Sequence, residues 1–109
     1  MNLKTIHYDN QKVLKAYSNE RNVFRGQAST SNVLYFFYKG DECLYIGESE
    51  TSLYHRCFKH SPKEKDQPWF KEADTINIIE LDSNIDKFSR QTLESTFILT
   101  HKPKYNKKA

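Results

Sequence analysis

The chain has 109 residues, of which 17 are Lys or Arg and 14 are Asp or Glu, giving a formal net charge of +3. This length suits one domain, and a composition of 37% hydrophobic and 14% aromatic residues is enough for one core. The charge is compatible with a polyanionic partner and requires none. There is no apolar run of about 18 residues and no basic start leading into an apolar stretch. We therefore expect no transmembrane helix, no secretory signal and a cytoplasmic location.

The first thirty-one residues differ in pattern from the rest and are predicted to form an N-terminal extension. Asp9 or Asn10 can cap a short helix with one apolar face, and a polar loop follows it at 26–32. The main domain is then predicted to span 32–109 and to end in a basic tail.

Two aromatic and β-branched runs, 33–38 and 42–46, flank a turn that contains Gly40, so they are predicted to form a β-hairpin. A third run at 75–81 is predicted to be a third strand. These strands indicate a small antiparallel sheet of three strands.

Two helices are predicted to flank this sheet. Ser49 or Thr51 can cap the first, which carries an apolar stripe and runs to about His60. The second is predicted to start after the turn at 82–84 and to run to about His101, before Pro103. The fold class is therefore α+β: a three-stranded antiparallel sheet flanked by helices.

Arg56 and His60 are four residues apart on the first predicted helix and project from the same face. An arginine offers a fork of donors to a phosphate, and a histidine can hold or pass a proton near neutral pH. Two solvated surface cations would give the same pattern, and on these two residues alone that interpretation is favoured.

Glu94 emerges from an apolar part of the second predicted helix, next to Leu93, Phe97 and Ile98. Burying a carboxylate without compensation is costly. Either a salt bridge to Arg90, one turn earlier, or a bound divalent cation would compensate it.

Tyr35 and Tyr45 lie on the two strands of the predicted hairpin. Two phenols directed to one patch could orient a water molecule and contact a phosphate. Tyrosines on strands are usually core or cross-strand packing groups, so on this pair alone the packing role is favoured.

Taken together, these segments resemble the GIY-YIG nuclease domain. The resemblance spans 32–107 and rests on the order and spacing of four pieces. They are Val33-Leu34-Tyr35, Tyr45-Ile46-Gly47, the Leu53, Arg56 and His60 pattern, and the Leu93-Glu94, Ile98, Pro103 and Asn106 pattern.

The resemblance implies a metal-dependent endonuclease that hydrolyses phosphodiester bonds of DNA, leaves 5′-phosphate ends and uses Mg²⁺ or Mn²⁺. It also implies a role for each matching residue. Tyr35 would act as general base, Tyr45 would arrange water and phosphate, Arg56 would stabilise phosphate charge, His60 would assist as in many members, Glu94 would bind the metal, and Asn106 would shape the site.

Val33 and Glu48 depart from the family pattern. Val33 stands where the first motif has glycine, a change that a strand tolerates. Glu48 stands where many members have lysine, and its charge could repel DNA, hinder a tyrosine base or supply a second metal ligand.

Contacts to nucleic acid are expected from basic side chains around the site and in the tail. The residues predicted for this role are Arg56, Lys59, Lys63, Lys65 and Lys104. The lysines near the chain end could equally form a solubilising tail. One active site per chain makes a homodimer the simplest arrangement for cutting both strands of a duplex.

Three other interpretations stay open. A non-catalytic nucleic-acid binder on the same scaffold would use the lysines and an exposed Trp69. A zinc site from Cys43, His55, Cys57 and His60 fits no common ligand spacing. A small interaction protein without a nucleic-acid role would bind neither DNA nor RNA. The two cysteines are otherwise expected to be reduced and packed as small core residues.

Overall fold

The computed structural model describes residues 2–106, and its elements confirm the α+β class. The strands are β1 (Asn2–His7), β2 (Val33–Lys39), β3 (Glu42–Ser49) and β4 (Thr75–Glu80). The α-helices are α1 (Asn10–Leu14), α2 (Asn19–Gln27), α3 (Leu53–Phe58), α4 (Pro68–Glu72) and α5 (Lys87–His101). A 3₁₀ helix covers Glu64–Asp66. No helix within residues 2–106 combines the length and apolar character needed to cross a membrane.

The sheet has four antiparallel strands in the order β1-β4-β2-β3, so the prediction of three strands is wrong. The additional strand, β1, pairs with β4 from Asn2 opposite Glu80 to His7 opposite Thr75. Only Ile6 of β1 is buried, and Leu3 is largely exposed. An edge strand that buries so little lacks the alternating apolar pattern by which strands are recognised. Residues 2–7 thus belong to the same sheet as the later strands.

The sheet separates two apolar clusters, one on each face. Side chains of β2 alternate between them, with Tyr35 and Phe37 on one face and Leu34 and Phe36 on the other. Helices α1 to α4 cover the first face and α5 covers the second. The first cluster includes Val13, Phe24, Leu53, Cys57 and Phe70, and the second includes Ile46 and Ile98. The site residues on β3 therefore lie at an edge of the sheet where both helical layers are near.

The helix ends differ by a few residues from those predicted. Ser52 caps α3 through a bond from the His55 backbone N–H, and α3 ends at Phe58 rather than at His60. Asp86 caps α5 two residues beyond the predicted turn. The hairpin is present as predicted, with Gly40 at a φ of 56°, in the left-handed region that glycine adopts most easily.

Candidate active site

Tyr35 lies in the middle of β2, opposite Gly47 of β3, and has no exposed surface. Its hydroxyl donates a hydrogen bond to Glu64 Oε2 at 2.5 Å. Burial, with the nearby Glu64 carboxylate, raises the pKa of Tyr35 well above its usual value. The phenol is therefore neutral, and its proton is already committed to a carboxylate.

Glu64 is the first residue of the 3₁₀ helix and is buried, with 4% of its surface exposed. Its second oxygen, Oε1, accepts a hydrogen bond from Trp69 Nε1 at 2.8 Å. Burial raises the pKa of Glu64, while the bonds from Tyr35 and Trp69 and the charge of Arg56 act in the opposite direction. Glu64 is not predicted as a site residue from sequence because it lies in the charged run Lys63-Glu64-Lys65-Asp66, which is typical of a solvated loop.

Tyr45 is half-buried on β3 and stacks on Trp69, with ring centroids 3.9 Å apart and ring planes 4° from parallel. Burial raises the pKa of Tyr45, and the charges of Glu64 and Glu94 raise it further, while Arg56 lowers it. Charged groups from several elements therefore act on this one phenol. Trp69 stacks on Tyr45, donates to Glu64 and is half-buried. It is therefore not the exposed aromatic residue expected of a nucleic-acid binder.

Arg56 projects from α3 towards the two tyrosines and is half-buried. Burial alone would lower its pKa, but its contact with Tyr35 and the charge of Glu64 give a net upward shift, so the guanidinium stays cationic. Its Nη1 lies 3.5 Å from Nδ1 of His60, which is exposed just beyond the helix. Its Nε is buried and has no hydrogen-bond partner among the described residues.

Glu94 lies on α5 and is half-buried. Its charge acts on Tyr45, so the carboxylate lies on the side of α5 that is near β3. Arg90, proposed from sequence as a salt-bridge partner of Glu94, is itself buried and donates through Nε to the carboxylate of Glu48. Arg90 Nη1 also donates to Asn32 Oδ1 at 3.3 Å. The negative charge of Glu48 is therefore neutralised within the fold.

Asn106 is bound to the outer edge of β3 through both ends of its side-chain amide. Its Nδ2 donates to the Ile46 carbonyl at 2.9 Å, and its Oδ1 accepts from the Ile46 N–H at 2.7 Å. Backbone N–H groups of Lys104 and Tyr105 donate to Cys43 and Leu44, so the whole segment runs along this strand. Asn106 thus fixes the strand that carries Tyr45.

The basic side chains predicted to contact nucleic acid are distributed over two parts of the surface. Lys59 is exposed after α3, while Lys63 and Lys65 are half-exposed on either side of Glu64. Lys104 is exposed along β3, and its Nζ lies 3.3 Å from Glu72 Oε2. Two further lysines of the tail, Lys107 and Lys108, lie outside the described residues.

The donor set fits one hard divalent cation better than zinc. Glu94 offers a single half-buried carboxylate, and Mg²⁺ commonly binds through one or two carboxylates while retaining several waters. Both oxygens of Glu64 already accept hydrogen bonds. No group of three His, Cys, Asp or Glu side chains that could hold a metal occurs in residues 2–106. The zinc interpretation therefore has no support in this part of the chain.

The fold is similar to crystal structures of the GIY-YIG N-terminal endonuclease domain of UvrC from Thermotoga maritima. A point mutant bound to the catalytic divalent cation is 21% identical to this chain, covers 84% of it and 99% of its own chain, and has a TM-score of 0.63. The same domain bound to magnesium is 24% identical, with 82% and 99% covered and a TM-score of 0.61. The resemblance inferred from the motifs is thereby confirmed at the level of the fold. No protein-family model matches the sequence, and no curated protein matches it.

Proposed function

We propose that this chain, which has the fold of GIY-YIG endonuclease domains, is a nuclease that uses a divalent cation to hydrolyse phosphodiester bonds of DNA. The observation that carries the proposal is the set of charges around Tyr45. A guanidinium from α3 and a carboxylate from α5 both act on this half-buried phenol. A cation-binding acid, a phosphate-binding arginine and a phenol are what this hydrolysis requires.

Glu94 is proposed as the residue that holds the cation, Mg²⁺ or Mn²⁺. When bound there, the cation supplies Lewis acidity that polarises the phosphate and stabilises the leaving oxygen. Arg56 is proposed to contact the phosphate oxygens through the donors that it does not direct at Tyr35. His60, next to Arg56 at the solvent boundary, is proposed to assist phosphate binding.

Tyr45 is proposed as the phenol that contacts the attacking water, with Tyr35 behind it in support. Tyr35 has no exposed surface and its proton is committed to Glu64, which disfavours the role of general base that the family resemblance implies for it. The raised pKa keeps Tyr45 neutral near pH 7, so its hydroxyl orients the water by hydrogen bonding. Asn106 is proposed to act through the strand that carries Tyr45 rather than on the substrate.

Arg56, Lys59, Lys63, Lys65 and Lys104 are proposed to hold the DNA backbone by charge. Two copies acting together are proposed for cleavage of both strands. A catalytically inactive binder on the same scaffold is the alternative, and the departure of Glu48 from the family pattern would be a sign of it. Because Glu48 is paired with Arg90, its charge does not favour a non-catalytic role over a catalytic one.

The test is nicking of supercoiled plasmid DNA by the full chain with Mg²⁺, with Mn²⁺ and with EDTA. We expect metal-dependent nicks that DNA ligase can seal, since hydrolysis is expected to leave 5′-phosphate ends. Glu94→Gln should reduce the rate by about 100-fold or more. Glu42→Gln, which removes an exposed carboxylate from the start of β3, is the matched control. DNA binding by the unmodified chain without any metal-dependent cleavage would support the inactive binder instead.

A further inference from the structure

We propose that Glu64 is a positioning residue of this site, whose carboxylate holds the Tyr35 hydroxyl and the Trp69 indole and thereby fixes Arg56 and Tyr45 towards the substrate. This proposal rests on the nuclease function proposed above. Nothing in the motif pattern assigns a role to Glu64.

Burying the Glu64 carboxylate costs free energy. A glutamate is almost never fully buried unless it is paired. Glu64 is 4% exposed and has no salt bridge within 4.0 Å among the described residues. Two neutral donors satisfy its oxygens instead. An apolar residue or an amide would avoid this cost, so the carboxylate is better explained by what it does for its neighbours.

Each hydrogen bond of Glu64 leads to a residue of the proposed site. The Tyr35 hydroxyl, held by Oε2, lies against the Arg56 guanidinium. The Trp69 indole, held by Oε1, is stacked on the Tyr45 ring. An indole N–H can only donate, so Trp69 requires an acceptor in this place. Loss of the carboxylate would release both supports together.

Several titratable groups interact electrostatically with Glu64. The titratable groups that act on it or are acted on by it are Tyr35 on β2, Tyr45 on β3, Arg56 and Cys57 on α3, and His60 just after α3. Arg56 is the one permanent cation in this set. The ionised carboxylate therefore attracts the guanidinium electrostatically to the side of the site where Tyr35 lies.

The first experiment measures DNA cleavage by Glu64→Gln across a pH range, with Glu42→Gln as control. Glutamine keeps the shape and one acceptor but carries no charge. We expect kcat to fall about tenfold or more, and the loss of activity at acid pH that reflects protonation of Glu64 to disappear. Glu64→Asp, which retains the charge on a shorter side chain, should recover part of the rate. An unchanged kcat and an unchanged pH profile in a folded Glu64→Gln variant would overturn the proposal.

The second experiment does not depend on activity. Trp69 is the single tryptophan of the chain, so intrinsic fluorescence reports on its indole directly. In the unmodified protein, titration of the Glu64 carboxylate should change the emission on the acid side of neutrality, and Glu64→Gln should lack this change. Identical titrations in the two proteins would overturn the proposal even if neither cleaves DNA. A clear fluorescence difference without cleavage by the unmodified protein would overturn the nuclease function and leave the contact in place.

Discussion

The Cβ atom that Gly47 lacks would lie 2.4 Å from Cζ of Tyr35 and 2.5 Å from its hydroxyl oxygen. Real Cβ atoms do not approach other atoms this closely, so the Tyr35 ring can lie across β3 only because position 47 has no side chain. We expect Gly47→Ala to force Tyr35 away from Glu64 and to lower stability by about 1–3 kcal/mol. For a domain of this size, the melting temperature should fall by roughly 4–8 °C per kcal/mol.

Gly26→Ala is the matched control for this substitution. A Cβ at Gly26, in helix α2, would meet no atom within 4 Å. We expect it to raise stability by about 0.5–1 kcal/mol, since alanine loses less conformational freedom on forming a helix. Equal changes in melting temperature for the two substitutions would mean that the contact with Tyr35 does not explain why position 47 needs glycine.

The parts of the fold that could be predicted from sequence are those with a strong local pattern. The hairpin of β2 and β3 was recognised from two runs of aromatic and β-branched residues around a glycine-containing turn. Helix α3 was recognised from its apolar stripe, and α5 from the turn before it and Pro103 after it. β1 was missed because an edge strand that buries only Ile6 has no such pattern.

The candidate site could be proposed from sequence only where a motif has fixed spacing. Tyr35, Tyr45, Arg56 and Glu94 were proposed in this way, and the structure gives Tyr35, Tyr45 and Arg56 a common neighbour in Glu64. Glu64 could not be found in this way. Its burial depends on how the segment between α3 and α4 folds back onto β2, and its local sequence is that of an exposed charged loop.

Asn106→Ala should free the outer edge of β3. The substitution removes both hydrogen bonds to Ile46, each of which contributes about 1 kcal/mol net. Because Ile46 follows Tyr45, cleavage should fall together with stability. Hydrogen exchange of the Ile46 amide is the direct measurement, and we expect its protection to decrease. Asn106→Asp keeps the acceptor for this N–H and should retain more protection than alanine. An unchanged exchange rate of the Ile46 amide in Asn106→Ala would contradict the proposal that Asn106 holds the outer edge of β3.

The pair of Glu48 and Arg90 should contribute to stability rather than to metal binding. Arg90→Gln leaves the Glu48 carboxylate without its partner and should lower the free energy of unfolding by about 3 kcal/mol. Urea denaturation of both single variants and the double variant with Glu48→Gln should give a coupling of about 1–3 kcal/mol. The more exposed pair of Lys65 and Asp66, whose side chains are 31% and 58% exposed, is the control, with little coupling expected. Additive changes in the free energy of unfolding would mean that Glu48 and Arg90 do not stabilise the fold as a pair.

Glu64 should make stability depend on pH in the direction opposite to that of a salt-bridged acid. Burial raises the pKa of Glu64 above its ordinary value in the folded chain. Between these two pKa values the folded state binds more protons than the unfolded state, so this group's contribution to stability falls as pH rises. Glu64→Gln removes that dependence. Its free energy of unfolding relative to the unmodified protein should therefore increase from about pH 4, near the ordinary pKa of glutamate, to pH 7.

Urea denaturation at several pH values measures the difference. A relative stability that instead decreases over this range would mean that the folded protein favours the ionised carboxylate. Glu64 would then stabilise the fold, and its burial would need no functional explanation.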